Sequence, residues 1–464
     1  MHRRPLMLAA FAAVATLTVA FLPGLAGSAA TLTPIRSESP RPARATPPVP
    51  ASRRPTTATT VKAPRRPTTA TTVKAPRRPT TPPASASRRP TTATTANRAT
   101  ARKPTSAPTP RGTSATTPML GALAPSAGTA TLKSAGFGEV VISATWASIE
   151  PSKGEFSASA TSSLQAAINA ATASGLHASL DIGVQYAPSW IFGVGGGTQF
   201  VDQYGDVFTG SAGSGNYVPN AVTDQLVRVQ LGDYLEYLGT HLTGVSSVRL
   251  GGAAYNELRY PSGGSGSRSN AYWFYDTSSQ ASLAPSLRGW VPGTGTAAQA
   301  TGFLNAYNAA LDNYGVWLVA EAGSAFPAST ELEVLMPGWG ERPDEIAPAE
   351  ANLLRSTPDE LNQGLDWVDL LPALPHTSRI VAYTTWADST FGSSSNPDPA
   401  AFIHSILPSG MAAGGESTGN GQTTAGGEAL EFQDAQAWHW YVANWFFNGQ
   451  NQTPAQVSQS FESV

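Results

Sequence analysis

The chain has 464 residues, no Cys, 44 Gly and 38 Pro, and its formal net charge of −2 conceals a strong asymmetry. Residues 31–117 carry 17 Lys and Arg against the single acid Glu38, whereas residues 118–464 carry 10 basic and 30 acidic side chains and all 11 Trp. Without Cys there is no disulfide framework, thiolate metal site or thiol nucleophile, no two of the six His stand at a metal-ligand spacing, and the acidic balance after residue 117 speaks against nucleic-acid binding.

Residues 1–30 have the form of a secretory signal. His2-Arg3-Arg4 give a charged start, Leu6 to Leu22 an apolar run, and Gly27-Ser28-Ala29-Ala30 the small residues of a cleavage site. The run falls short of the roughly 20 apolar residues of a transmembrane helix. After cleavage no membrane span is expected, and the protein is placed outside the cell. Residues 31–117 are repetitive: the run from Arg53 to Pro64 recurs almost unchanged from Arg65 to Pro76, with shortened copies from Arg77 and Arg88. Val61 and Val73 are the only sizeable apolar residues in the two full copies, so nothing offsets the entropy of ordering, and a disordered, extended Thr/Pro/Arg-rich linker is expected. It suits a plain spacer and a tether to an anionic cell wall equally well.

From Pro118 onward short β-rich runs alternate with helical patterns, the order of parallel βα units. Strands are expected at Met119–Leu123, Glu139–Ala144, His177–Gly183, Ser247–Gly252, Glu331–Met336, Arg379–Thr385 and Met411–Gly415. Helices are expected at Ala158–Ser174, at Ala221–His241 with Leu226, Val229, Leu231, Leu235 and Leu238 on its apolar side, at Phe303–Ala325, and at Pro399–Leu407. Seven such units point to a (β/α)8 barrel, an α/β fold, over residues 118–464. The eighth strand is open: an aromatic helix is read over Ala435–Phe447, and either Trp438–Phe447 is itself the strand or the barrel is incomplete.

Barrels of this kind carry their chemistry on the loops at the C-terminal ends of the strands. That ranks Glu150, Asp181, Glu257, Glu341, Asp388 and Glu416 above acids in helical stretches, such as Glu236 and Asp359. Glycosidic cleavage needs one carboxylic acid to protonate the leaving oxygen and one carboxylate on the opposite face. A carboxyl enclosed by Tyr255, Tyr260 and Trp side chains should have the raised pKa of a general acid. Trp146, Trp190, Trp339 and Trp386 follow strands and are candidate stacking faces for sugar rings.

The sequence Gly251-Gly-Ala-Ala-Tyr-Asn-Glu-Leu-Arg-Tyr-Pro-Ser262 follows the fourth strand. Its Glu-Leu-Arg-Tyr-Pro-Ser run resembles the acid-glutamate signature of β-amylases, glycoside hydrolase family 14. The Asn256-Glu257 pair resembles the Asn-Glu of clan A glycosidases such as family 42 β-galactosidases, where β-amylases have Gly before the Glu. Met411-Ala-Ala-Gly-Gly-Glu-Ser-Thr418 is similar to the β-amylase segment that carries the base, with a second copy at Ala425-Gly-Gly-Glu-Ala-Leu430. Trp146-Ala-Ser-Ile-Glu-Pro-Ser-Lys-Gly-Glu-Phe156 and Gln185-Tyr-Ala-Pro-Ser-Trp190 resemble clan A runs after strands two and three. The β-amylase His/Cys loop has no counterpart: Asp181-Ile-Gly-Val-Gln-Tyr186 stands in its place.

These resemblances imply a glycoside hydrolase with Glu257 as the acid and Glu416 as nucleophile or base, Glu428 in reserve. They imply carbohydrate contacts from Asn256, Asp181, Trp146, Trp190, Trp386, Tyr255, Arg259 and Tyr260. The Asn256 match favours retention and the β-amylase match inversion, outcomes that correspond to carboxyl separations of about 5–5.5 Å and about 6.5–9.5 Å. A carbohydrate substrate is expected, with no cofactor, no metal and no nucleic-acid partner. Two other readings stand beside this one: a degenerate, glycan-binding barrel, and an esterase using Ser417 in Gly415-Glu-Ser-Thr-Gly419 with Asp434 and His439.

Overall fold

A computed structural model describes residues 118–210, 218–252, 256–261, 270–338, 345–357, 360–364, 366–389, 397–418, 425–447 and 452–464. The expected leader and linker, residues 1–117, lie outside the described residues, as do Tyr255, Trp339, Glu341 and Asp359.

The chain forms a closed barrel of eight parallel strands in sequential order. They are β1 (Met119–Leu123), β2 (Glu139–Ser143), β3 (His177–Asp181), β4 (Val245–Leu250), β5 (Glu331–Met336), β6 (Ile380–Thr384), β7 (Ala412–Glu416) and β8 (Val442–Phe446). The helices are α1 (Thr129–Ser134), α2 (Trp146–Ile149), α3 (Ala158–Ala173), α4 (Gln225–His241), α5 (Thr277–Ser282), α6 (Ala297–Ala325), α7 (Ile346–Arg355), α8 (Trp367–Ala373), α9 (Pro399–Ile406), α10 (Ala425–Ala437) and α11 (Pro454–Glu462). Among the described residues, no helix is long and apolar enough to cross a membrane.

The barrel is complete, which decides the open eighth strand: it lies within Trp438–Phe447. The aromatic run splits: α10 ends at Ala437, and Val442 to Phe446 pair residue for residue with Met119 to Leu123 of β1. Val-Ala-Asn-Trp-Phe is buried over its first four residues. A strand covered on both faces has no polar alternation, so its sequence does not distinguish it from a buried helix. The polar tail after it forms α11, started by a capping box between Thr453 and Gln456, with Phe461 edge-on to Phe432 of α10.

Two helices differ from expectation in ways that packing explains. In α4 the buried stripe is Val227, Leu231, Tyr234, Leu235 and Leu238, whereas Leu226 and Val229 are 51% and 56% exposed. Tyr234, omitted from the expected stripe, stacks on Trp146 at 5.2 Å and donates to the Ile182 carbonyl. Helix α6 begins six residues before Phe303, because Thr296 and Gln299 form a capping box.

The barrel interior departs from an all-apolar filling of branched side chains. Glu139, Ser179, Ser247, Arg249, Glu333, Tyr383 and Asn444 are all buried, and all lie on strands. They form a polar layer directly beneath the C-terminal mouth.

Candidate active site

Glu257 owes its position to glycines at the end of β4. A Cβ on Gly251 would run into the Asn256 carbonyl oxygen, and one on Gly252 into the Tyr314 hydroxyl. Without those atoms the chain folds back over the strand end: Gly252 N donates to the Glu257 carbonyl at 3.1 Å, and Leu258 N to that of Leu335 at 2.8 Å. Asn256 takes a left-handed φ of 59°, a conformation Asn tolerates better than most residues, and its Nδ2 donates to the Arg249 carbonyl at 3.1 Å. Gly251→Ala is expected to unseat Glu257, with turnover lost and stability lowered by about 1–3 kcal/mol, measurable by thermal unfolding.

Both oxygens of Glu257 are engaged. Thr385 Oγ1 donates to Oε1 at 2.7 Å and Arg259 Nε to Oε2 at 2.6 Å, while Arg259 Nη1 donates to Gln363 Oε1 at 2.6 Å. Of the aromatic surround expected for this carboxyl, Tyr255 lies outside the described residues and Tyr260 turns into the core. Tyr260 is fully buried, stacked on Tyr307 at 3.8 Å, with its hydroxyl donating to the Tyr307 carbonyl.

Glu416 is the last residue of β7 and is held from two other strands. Arg249 Nη2 of β4 donates to its Oε2 at 2.6 Å, and the Tyr383 hydroxyl of β6 donates to the same oxygen at 3.0 Å. Among the described residues no donor reaches Oε1, which leaves that oxygen for a ligand or water. Burial pushes the Glu416 carboxyl up to about 7; Arg249 and Tyr383 pull it back, and the nearby Glu257 charge adds to the rise. The two carboxylates therefore share one electrostatic site, and at 8% and 9% exposure both stay within reach of solvent at the mouth.

Arg249 is the centre of the polar layer. Burial alone would favour its neutral form, but Glu416, Tyr383, Glu333 and Asp181 together hold it firmly charged. Its Nη1 donates to Tyr383 Oη at 2.9 Å and lies 3.7 Å from Glu333 Oε2. Glu139 and Glu333 are driven upward chiefly by burial, Glu139 also by the Glu333 charge, while Arg249 pulls both down.

The remaining candidates fall into distinct places. Asp181 closes β3 and accepts from Gly183 N at 2.9 Å; burial raises its pKa, against the pull of Arg249. Trp146 is 0% exposed, stacked on Tyr234 and edge-on to Trp190, with its Nε1 donating to Glu150 at 2.8 Å, so it offers no face to a sugar. The Trp-x-x-Ile-Glu-Pro run is thus a self-capped turn. Trp190 is half-buried and donates to the Glu150 carbonyl. Trp386, also half-buried, directly follows the Thr385 that contacts Glu257.

Asp388 accepts from both the backbone and the hydroxyl of Thr418, and so ties the loop after β6 to that after β7. Glu428 lies on α10 rather than at a strand end, and its Oε2 accepts from Gln452 Nε2 at 2.9 Å. Ser417 is buried, and its Oγ accepts from Phe446 N at 2.9 Å, while His439 is exposed. Glu236 is exposed, as expected for a helical acid. Among the described residues no group of three or more His, Asp or Glu could hold a metal ion.

Arg249, Tyr383, Thr385, Gln363, Glu139, Glu333 and Asn444 were not singled out from sequence as members of a site. Three of them had left a signal there: Glu139, Arg249 and Glu333 are charges inside strands that a parallel barrel otherwise fills with apolar residues.

No family model matches the chain, and no curated protein is similar to it in sequence. In fold it is similar to the catalytic domain of β-amylase from Paenibacillus polymyxa, at 14% identity and a TM-score of 0.54, over 74% of this chain and 97% of that one. It is also similar to β-galactosidase from the psychrophilic Marinomonas ef1, at 12% identity and a TM-score of 0.49, over 75% of this chain and 59% of that one. The architecture is therefore a (β/α)8 barrel of the type found in solved glycoside hydrolases, with a carboxylate pair at its C-terminal mouth.

Proposed function

We propose that the barrel is a secreted glycoside hydrolase that cleaves O-glycosidic bonds in oligo- or polysaccharides by a two-carboxylate mechanism. The observation that carries this reading is the pair Glu257 and Glu416. They rise from β4 and β7, each is held by an arginine, and they are close enough for one charge to raise the other's pKa. Glu257 serves as acid/base. Glu416, with Oε2 fixed by Arg249 and Tyr383 and no donor to Oε1 among the described residues, serves as the carboxylate that attacks the anomeric carbon or activates water. Asn256, whose Oδ1 has no partner among the described residues, stands beside Glu257 as a sugar-hydroxyl contact. Trp190 and Trp386 supply the aromatic walls, and residues 31–117 act as a spacer or wall tether for the exported enzyme.

The test is a panel of aryl glycosides and polysaccharides assayed with wild type and Glu257→Gln. Turnover of at least one glycoside by wild type, reduced by about 10²–10⁴-fold in the variant, is expected. No turnover on any sugar, with polysaccharide binding retained, would instead favour a glycan-binding barrel. Ser417→Ala should keep glycosidase activity and lose stability by about 1–3 kcal/mol, since it orphans the Phe446 N–H. Complete loss of turnover in folded Ser417→Ala would favour the esterase.

A further inference from the structure

Glu416, Asn444, Gly121 and Glu139 occupy one row of the barrel, paired in register across β7, β8, β1 and β2. Gly121 is the gap in that row: a Cβ there would overlap Asn444 Oδ1. Across this gap Asn444 Nδ2 donates to Glu139 Oε1 at 3.0 Å, and it also donates to Tyr383 Oη at 3.0 Å. Both amide hydrogens are thereby committed.

The Tyr383 hydroxyl has one hydrogen to give and two lone pairs to accept with. Arg249 Nη1 and Asn444 Nδ2, neither of which can accept, fill both lone pairs. The one remaining direction for the hydroxyl hydrogen is Glu416 Oε2, 3.0 Å away. We infer that Asn444 is a positioning residue for Glu416, acting through Tyr383: by occupying the tyrosine oxygen it commits the phenolic hydrogen to the Glu416 carboxylate. The inference rests on the glycosidase reading for its catalytic meaning, but the coupling itself is a property of the barrel.

The experiment titrates Glu416 directly. In protein carrying ¹³C at the glutamate side-chain carboxyls, the Glu416 signal is the one lost in Glu416→Gln. Asn444→Leu should shift its midpoint upward by about half to one pH unit, part of the roughly one to two units that a whole hydrogen bond to a charged carboxylate carries. Tyr383→Phe should shift it upward as well, and Asn444→Leu should add nothing in the Tyr383→Phe background. Gly121→Ala, which displaces Asn444 without replacing it, should reproduce the Asn444→Leu shift and serves where that variant does not fold. The other groups that face Glu416 (Arg249 and Glu257 from the β4 side, Glu431 from α10) are unchanged in all of these.

An unmoved midpoint in both Asn444→Leu and Gly121→Ala, or equal shifts with and without the Tyr383 hydroxyl, would overturn the inference. In the active enzyme the acid limb of kcat/KM should follow the same shift. A coupled titration in a protein that turns over no glycoside would refute the glycosidase reading and leave the coupling standing.

Discussion

Glu416→Gln is expected to lower kcat/KM on an aryl glycoside by about 10²–10⁴-fold, with the fold intact. The wild-type pH profile then identifies what Glu416 does. Burial holds this carboxyl up at about 7, with Arg249 and Tyr383 limiting the rise. If Glu416 acts as nucleophile or base it must be ionised, so kcat/KM should fall as the pH drops through about 7. A general acid must be protonated, and that role would make kcat/KM fall as the pH rises through the same value. Since kcat/KM reports groups of the free enzyme, the comparison is with the site as it stands without substrate. An acid limb near neutrality that vanishes in Glu416→Gln supports the carboxylate role; a basic limb there would exchange the roles of Glu416 and Glu257.

Arg249→Leu should be the most destabilising single change in the barrel, by about 3–5 kcal/mol in urea unfolding, because it leaves buried carboxylates without their cation. The effect should depend on pH with a definite sign. Glu416 has a folded pKa above its unfolded value, so its contribution is fully present below the ordinary carboxylate range and is lost as the pH rises through about 7. Arg249 lowers both Glu416 and Glu333. Without it these carboxyls hold their protons to higher pH, and the deficit should widen as the pH rises from about 5 to about 8. Adding Glu416→Gln to Arg249→Leu should recover part of the loss, since one uncompensated charge is removed. A deficit that is flat with pH would mean that Arg249 acts by packing alone.

Much of the barrel was legible because parallel βα units write themselves into sequence as alternating runs. Strands β1 and β5 were read at their observed bounds, and β2, β3, β4, β6 and β7 to within one or two residues. Strand β8 stayed one of two alternatives, because a segment buried on both faces carries no period, and only its pairing with β1 decides it. In α4 the stripe went astray at Leu226 and Val229, which are apolar yet exposed; which face a helix buries depends on the neighbour it meets.

The site divided along the same line. Glu257 and Glu416 were found because each follows a strand and sits in a distinctive local run, and local order survives in a linear string. Tyr260 was placed with them by proximity in sequence and Trp146 because it follows a strand, but the rings of both turn into the core. Their partners Thr385, Tyr383 and Arg249 lie 128, 33 and 167 residues from the carboxylates they contact.

By itself, then, the sequence determined a barrel of parallel βα units, the basic, repetitive composition of residues 31–117, and two carboxylates at strand ends. The tertiary structure alone decided that β8 closes the ring, that Arg249 and Tyr383 grip Glu416 while Arg259 and Thr385 grip Glu257, and that a polar layer runs beneath them. The reason is physical. Periodicity and turn chemistry act between near neighbours, whereas hydrogen bonds and ion pairs across a barrel join residues that only closure brings together.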